Sequence, residues 1–215
     1  MSPKRALDVM LACFLAPLPI CLLPVMWLVG RVEGSGGPFY RQDRIGLDGG
    51  TLRLLKFRTI GSPRNPLPAR LFLKLARTLG LDELPQILLV ARGDMSFVGP
   101  RPLLPKELFR YRGGKHVGLP AAIDLRQSAM PGITGLAQIS IRTRERRGAS
   151  YWQMLERDLW YAENRSMGLD LLILVFTPLY VMSLGRILFP RWLIRGRSPV
   201  LLIPGESDVV SHPVS

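Results

Sequence analysis

Residues 81–102 read LDELPQILLVARGDMSFVGPRP and set two carboxylates, Asp82 and Glu83, side by side ahead of a loop stiffened by Pro100 and Pro102. In a chain this basic, such a pair raises the question of chemistry on something negatively charged. The spacing also has a purely structural explanation. Asp82, ahead of Pro85, suits a helix N-cap, where a side-chain oxygen satisfies the first free amides. Other motifs have plain structural readings too. Gly99-Pro100-Arg101-Pro102 can form a rigid turn with a solvated side chain. Pro131-Gly132-Ile133-Thr134-Gly135 reads as a tight turn, and Lys56-Phe57-Arg58-Thr59 as an edge strand carrying protective charge.

The pair stands in a basic chain. Its 215 residues hold 29 Lys and Arg against 16 Asp and Glu, a formal charge of +13. That field favours anionic partners: nucleic acid, phosphorylated small molecules or anionic lipid headgroups. Mean hydropathy is nonetheless positive, +0.18, which argues against a disordered basic tail. The length suits one domain of ordinary size with an appendage. Cys13 and Cys21 both lie in an apolar run, so no disulfide framework is visible, and His116 and His212 offer no zinc spacing. Together these features describe a cytoplasm-facing protein at a membrane.

The elements that must position the pair begin with VMLACFLAPLPICLLPVMWLV, residues 9–29, which is uncharged and about long enough to span a bilayer as one helix. A cleaved signal peptide fits poorly with the Gly30-Arg31-Val32-Glu33 that follows. Pro17, Pro19 and Pro24 interrupt the run; Lys4 and Arg5 precede it, and Arg31, Arg41 and Arg44 follow. Cytoplasmic flanks attract Lys and Arg, so these residues predict a bent helix that enters and leaves by one face, with a straight kinked anchor as the alternative. The turn cluster at 34–38 separates it from the body. Short strands are expected at 39–42 and 51–57 around a turn at 47–50. A basic helix is expected over 70–79, with Leu71, Leu75 and Leu79 on one face. It is either a membrane-surface helix or a core helix with a solvated side. Further helices are expected from about Asp82 through Val90, over 151–164, and over 169–188, the last broken by Pro178 and Gly185 and able to span or to lie in the interface.

The order of the motifs carries more than any one of them. A basic-flanked apolar segment, then GPFYRQDRIG, KFRT, LDELPQ, GDMSFVGPRPLL, PGITGLAQ and a late Asp158-x-x-Tyr161 resemble the bacterial sugar transferases, the monotopic phosphoglycosyl transferases, over residues 3–180. The resemblance is to the small single-domain form. It implies a helix-rich α/β (α+β) fold: a re-entrant membrane helix-break-helix over 1–37, a small cytosolic catalytic domain with amphipathic interfacial helices over 38–203, and a disordered tail over 204–215. The implied reaction moves a sugar-1-phosphate from a UDP-sugar to a polyprenol phosphate, usually undecaprenyl phosphate, as the first membrane step of glycan assembly. Asp82 is then the nucleophile and Glu83 the magnesium ligand, at the cytoplasmic face of a bacterial inner membrane.

The same likeness offers Lys56, Arg58, Arg77, Arg101, Gln138, Arg142 and Asp158 as substrate-binding residues. Two anionic substrates must meet, so catalysis needs charge neutralisation, and Arg101 between its prolines can clamp phosphate through a bidentate fork. Basic neighbours and a helix N-terminus would keep Asp82 ionised at neutral pH. The chain departs from the family pattern in places. Ile139-Ser140-Ile141-Arg142 stands for the usual VNGR, Met130 for an arginine, and the common Ser-Pro of the membrane break falls in register at Ile20-Cys21. Two other classes compete. A membrane-tethered nucleic-acid module would need aromatics interleaved with arginine, whereas Tyr151-Trp152 and Trp160-Tyr161 fall on an amphipathic helix. A catalytically dead scaffold of the same fold is opposed by the intact Asp-Glu pair.

Overall fold

The computed structural model describes residues 1–33, 37–59, 66–112, 119–141, 151–187 and 189–190. Helix α1 (Pro3–Leu15) opens at Ser2, whose hydroxyl accepts the Arg5 amide, with Pro3 in the first turn where no donor is required. Pro17 has no N–H to continue the ladder, so α1 stops and α2 (Pro17–Glu33) leaves at a bend of 45°. The break therefore falls at Ala16-Pro17, upstream of Ile20-Cys21. Among the described residues no single helix is long and apolar enough to cross a membrane; this bent pair passes that test by length and composition.

Both arms of the pair are fastened to the body. On α1, Lys4 reaches the Asp170 carboxylate at 2.5 Å and the Val98 carbonyl at 3.0 Å, while Asp8 accepts from the Ser96 hydroxyl and the Phe97 amide. Arg5 donates to the carbonyls of Val90 and Ala91. Lys4 and Arg5 are thus tertiary anchors and not merely a charged flank. On α2, Met26 is buried with Phe57 and Leu73, and Leu22, Val29 and Leu84 pack on them. Between these anchors Met10, Phe14, Leu18 and Ile20 stay exposed.

Strands β1 (Phe39–Ile45) and β2 (Thr51–Phe57) form an antiparallel hairpin in which Tyr40 faces Lys56 and Phe39 faces Phe57, their rings stacked at 5.5 Å. Asp48 and Gly49 both take positive φ in its turn, the backbone that matches the right-handed twist of the strands. β3 (Ser96–Val98) and β4 (Gly132–Thr134) pair in parallel, Ser96 beside Gly132 and Val98 beside Thr134. The Pro-Gly-Ile-Thr-Gly motif is therefore a buried strand, not the turn its composition suggests. The reason is close approach: a Cβ on Gly132 would fall on the Gly99 amide nitrogen and the Thr134 carbonyl, and one on Gly99 on the Met130 carbonyl. Gly132→Ala is expected to cost more than about 4 kcal/mol and to leave no folded protein, because backbone cannot retreat as a flexible side chain can. Loss of the cooperative thermal transition, read by circular dichroism, checks this.

Helix α3 (Leu67–Thr78) turns Leu73 and Ala76 inward and leaves Leu67, Leu71 and Leu75 exposed. Its leucine stripe faces away from the body, so the core-helix reading of that face fails. The chain then reverses at Gly80 (φ 71) into a 3-10 segment (Leu81–Gln86) that runs into α4 (Ile87–Arg92), ended by left-handed Gly93. After β3 come α5 (Pro105–Arg112) and α6 (Leu119–Gln127); α7 (Leu136–Ser140) follows β4. Helices α8 (Tyr151–Asn164) and α9 (Met167–Met182) close the body. Ser166 caps α9, whose Asp170, Ile173 and Tyr180 point inward and whose Leu171, Leu172, Val175, Leu179 and Met182 do not. The architecture is helix-rich α+β. Residues 204–215, expected as a tail, lie outside the described residues.

Candidate active site

Asp82 and Glu83 sit half-buried on the 3-10 segment, wedged between β2 and α3. Pro85 and Gln86 are buried, and Leu84 joins the cluster made with Met26 of α2, so the pair stands where the bent helix pair meets the body. Asp82 caps neither helical element: the 3-10 segment begins at Gly80 and α4 at Gln86, and neither start has a side-chain cap. The N-cap explanation of the motif is thereby removed. Asp82 stands in the first turn of a helical stretch, as expected, but that turn is 3-10 and the α-helix begins only at Ile87.

Lys56, at the end of β2, meets Glu83 Oε1 at 2.6 Å. Burial pushes the Asp82 carboxyl up to about 6, the negative charge of Glu83 adds to the rise, and Lys56 and Arg77 pull it back only in part. The basic surroundings do not lower the pKa, because burial and the like charge of Glu83 outweigh Lys56, a backbone hydrogen bond and Arg77. Asp82 is still ionised at pH 7 in a ratio of about ten to one, but with a proton affinity well above that of a free carboxylate.

Arg101 projects from a loop whose other members, Gly99, Pro100, Pro102 and Leu103, are buried. Beneath it lies Arg44, also buried. Its guanidinium donates to Gln42 Oε1 at 2.8 Å and to the Pro102 carbonyl at 3.1 Å, with Glu107 at 3.9 Å. Burial first, and then the charge of Arg101, lower the Arg44 pKa from its ordinary value, whereas Glu107 and Glu83 oppose the change. Arg44 thus lies within the field of both the loop arginine and the dyad.

Asp158 lies within the field of Arg101 but bonds a different arginine. Its carboxylate is buried against Arg126 of α6, with Oδ2 2.6 Å from Nη2 and 3.0 Å from Nε. Tyr161, the other half of that motif, donates to Asp170 at 2.6 Å and serves the α1 anchor; burial and that acceptor push its pKa upward. Gln138 donates to the Ile133 carbonyl and so holds β4. Arg58 bonds the Phe39 carbonyl at 3.4 Å and the Pro38 carbonyl through its amide, at the open end of the hairpin. Arg142 lies outside the described residues. Of the expected residues, the structure gathers Asp82, Glu83, Lys56 and Arg77, sets Arg101 over Arg44, and gives Asp158 and Gln138 internal partners.

Two arginines escaped the sequence reading, although each left a trace. Arg44 sits two residues from Gln42 on the same face of β1, a polar pair where an inward face would be apolar. Arg126 follows Ala122 and Ile123 at helical spacing, a lone charge on a buried stripe.

The model of the bacterial sugar transferase family matches residues 1–184. The uncharacterized sugar transferase EpsL of Bacillus subtilis is 38% identical over 182 residues, covering 81% of this chain and 84% of that protein. The UDP-galactose-lipid carrier transferase of Erwinia amylovora is 32% identical, covering 81% of this chain but 39% of its own length. The UDP-glucose:undecaprenyl-phosphate glucose-1-phosphate transferase of Caulobacter vibrioides is 34% identical, covering 81% and 67%. With a matched region that takes in the bent helix pair, the acidic dyad and the Arg101 loop, the chain belongs to the bacterial sugar transferase family.

Proposed function

We propose that this chain moves a sugar-1-phosphate from a UDP-sugar to a polyprenol phosphate at the cytoplasmic face of a bacterial membrane, through a phosphosugar ester on Asp82. The chain is a phosphoglycosyl transferase by family, and the names of its relatives supply the two substrates. The observation that carries the mechanism is the half-buried carboxylate of Asp82, which caps nothing and stands beside Glu83, Lys56 and Arg77.

An Asp82 oxygen attacks the phosphorus attached to the sugar, a new P–O bond forms, and the bond to the bridging oxygen breaks to release UMP. A phosphate oxygen of the lipid then attacks the same phosphorus and expels the Asp82 carboxylate, giving the lipid diphosphate sugar. Splitting the transfer lets two large anions use one site in turn. Lys56, Arg77 and Arg101 offset the charge of the approaching diphosphate.

Among the described residues no cluster of three metal-ligating side chains occurs, so a bound cation would take part of its coordination from substrate oxygens and water, which is how magnesium commonly binds. Glu83 fits that role. Lys56 bonds its Oε1, and the carboxylate would share its charge between Lys56 and the cation. Magnesium there would neutralise developing charge on the diphosphate.

The re-entrant reading of residues 1–37 draws support from the anchors. Lys4, Arg5 and Asp8 hold α1 to the same body that Met26 of α2 packs against, so both arms belong on one side of the bilayer. The exposed leucines of α3 and the outward apolar face of α9 suit helices lying at that surface. Single cysteines at Ser2 and Ser35, in a chain lacking Cys13 and Cys21, are expected to resist a membrane-impermeant maleimide in intact cells. Labelling of Ser2→Cys from outside would show a segment that crosses.

Purified protein is expected to release UMP from at least one member of a UDP-sugar panel, and only in the presence of polyprenol phosphate for multiple turnovers. No UMP from any UDP-sugar, with the protein folded, would refute the assignment and favour a non-catalytic member of the fold.

A further inference from the structure

The loop that carries Arg101 is held in an unusual way. Every backbone carbonyl from Pro100 to Leu103 accepts a hydrogen bond, the donors coming from β4, α6 and two adjacent residues of β1. Gly132 N–H takes Pro100 at 3.0 Å, Arg126 Nη2 takes Arg101 at 2.5 Å, Arg44 Nη1 takes Pro102 at 3.1 Å, and Ile45 N–H takes Leu103 at 2.8 Å. Pro100 and Pro102 have no N–H to offer, so these carbonyls are the backbone's main means of attachment. Among the described residues the Arg101 side chain makes no hydrogen bond of its own, and it is the exposed member of the loop.

Arg126 is the decisive support, because it grips the residue that carries the guanidinium. Its Nη2 is divided between the Arg101 carbonyl and Asp158, and Asp158 also accepts from Nε, so the carboxylate locks the fork in the orientation that reaches the loop. Arg126 and Asp158 are each about 95% or more buried. Buried ion pairs are poor stabilisers, since an apolar pair of similar volume is often as good or better. This one has a second task. We propose that Arg126, locked by Asp158, is a positioning residue that aims Arg101 at the substrate diphosphate, and that Asp158 acts through Arg126 without touching substrate. The inference rests on reading Arg101 as a phosphate clamp.

The test is a double-mutant cycle on full-length protein, reading kcat and KM for UMP release and the affinity for UDP by calorimetry. Arg126→Lys keeps a charge for Asp158 but has one nitrogen where the guanidinium uses two. In the wild-type background it is expected to lower kcat/KM for the UDP-sugar on the order of 10-fold or more and to weaken UDP binding, as misplacement of a clamp does. In an Arg101→Ala background the same change is expected to do nothing further, because there is no side chain left to aim. Equal losses in the two backgrounds, or a lowered thermal midpoint with kcat, KM and UDP affinity unchanged, would overturn the proposal. Should Arg126→Lys fail to fold, Arg126→Met combined with Asp158→Leu restores an apolar pair without the loop contact. That variant is expected to fold and show the same loss, and wild-type kinetics from it would also overturn the proposal. Arg101→Ala alone reports on the clamp, and mass analysis of Asp82 on the transfer chemistry, so failure of either is seen separately.

Discussion

Asp82→Asn is expected to reduce UMP release by more than about 10³-fold while raising the thermal midpoint of the protein. The first effect follows from the chemistry: an amide is no nucleophile toward phosphorus. The second follows from burial. Folding raises the Asp82 pKa from 3.8 to about 6, so the folded state binds its proton more tightly than the unfolded chain does. The ionised carboxylate therefore opposes folding, fully so above pH 6, and the opposition fades as the pH falls from 6 toward 3.8, where both states become protonated. Asn carries no such burden. Its stabilising effect is expected at pH 7.5 and absent near pH 4. A residue kept at a cost in stability is what a functional site shows. Thermal melts of wild type and variant at the two pH values, beside UMP-release rates, check both halves. The same proton sets the acid limb of wild-type activity, which is expected to fall with a midpoint near pH 6.

Glu83→Gln is expected to lose on the order of 10²-fold or more in activity, with little rescue by added magnesium. The substitution preserves shape and removes the charge that shares a cation with the diphosphate. It also removes the like charge that helps to raise the Asp82 pKa and frees Lys56 from its 2.6 Å contact. Both changes stabilise ionised Asp82. The acid limb of the residual activity is therefore expected to move to lower pH, a change that a purely structural Glu83 would not cause. Full wild-type activity in excess chelator would remove the metal from the account, and an unmoved acid limb would remove the coupling between the two carboxylates.

Some of this was legible in residue order. The hairpin over 39–57 followed from alternation around Asp48-Gly49, and the end of α4 from Gly93, because such signals are local. The break in the apolar segment was signalled by its prolines, though its position was not, since three prolines compete and only tertiary anchoring of α1 selects Pro17. What did not show were the consequences of contacts far apart in sequence. Gly132 reads as a turn glycine until β3 is laid beside it. The partner of Asp158, Arg126, is 32 residues away and could not be read from the sequence. That Asp82 stays ionised at neutral pH was legible from the cations, but the rise of its pKa was not, because burial is invisible in the sequence. Lys4 and Arg5 taught the converse. They were counted as charge at a membrane flank, yet they bond Asp170 and the end of α4, so their charge serves packing first.

The central claim is that Asp82 becomes covalently phosphorylated by the sugar phosphate. Enzyme incubated with a UDP-sugar it accepts, in magnesium and without lipid, then quenched in acid and digested, reads this directly. The account predicts about one equivalent of UMP released in a burst, and a mass increase of one phosphosugar confined to the peptide that contains Asp82, lost on adding polyprenol phosphate. An enzyme that turns over with lipid yet never gains that mass, releases no UMP without lipid, and obeys only ternary-complex kinetics would contradict it.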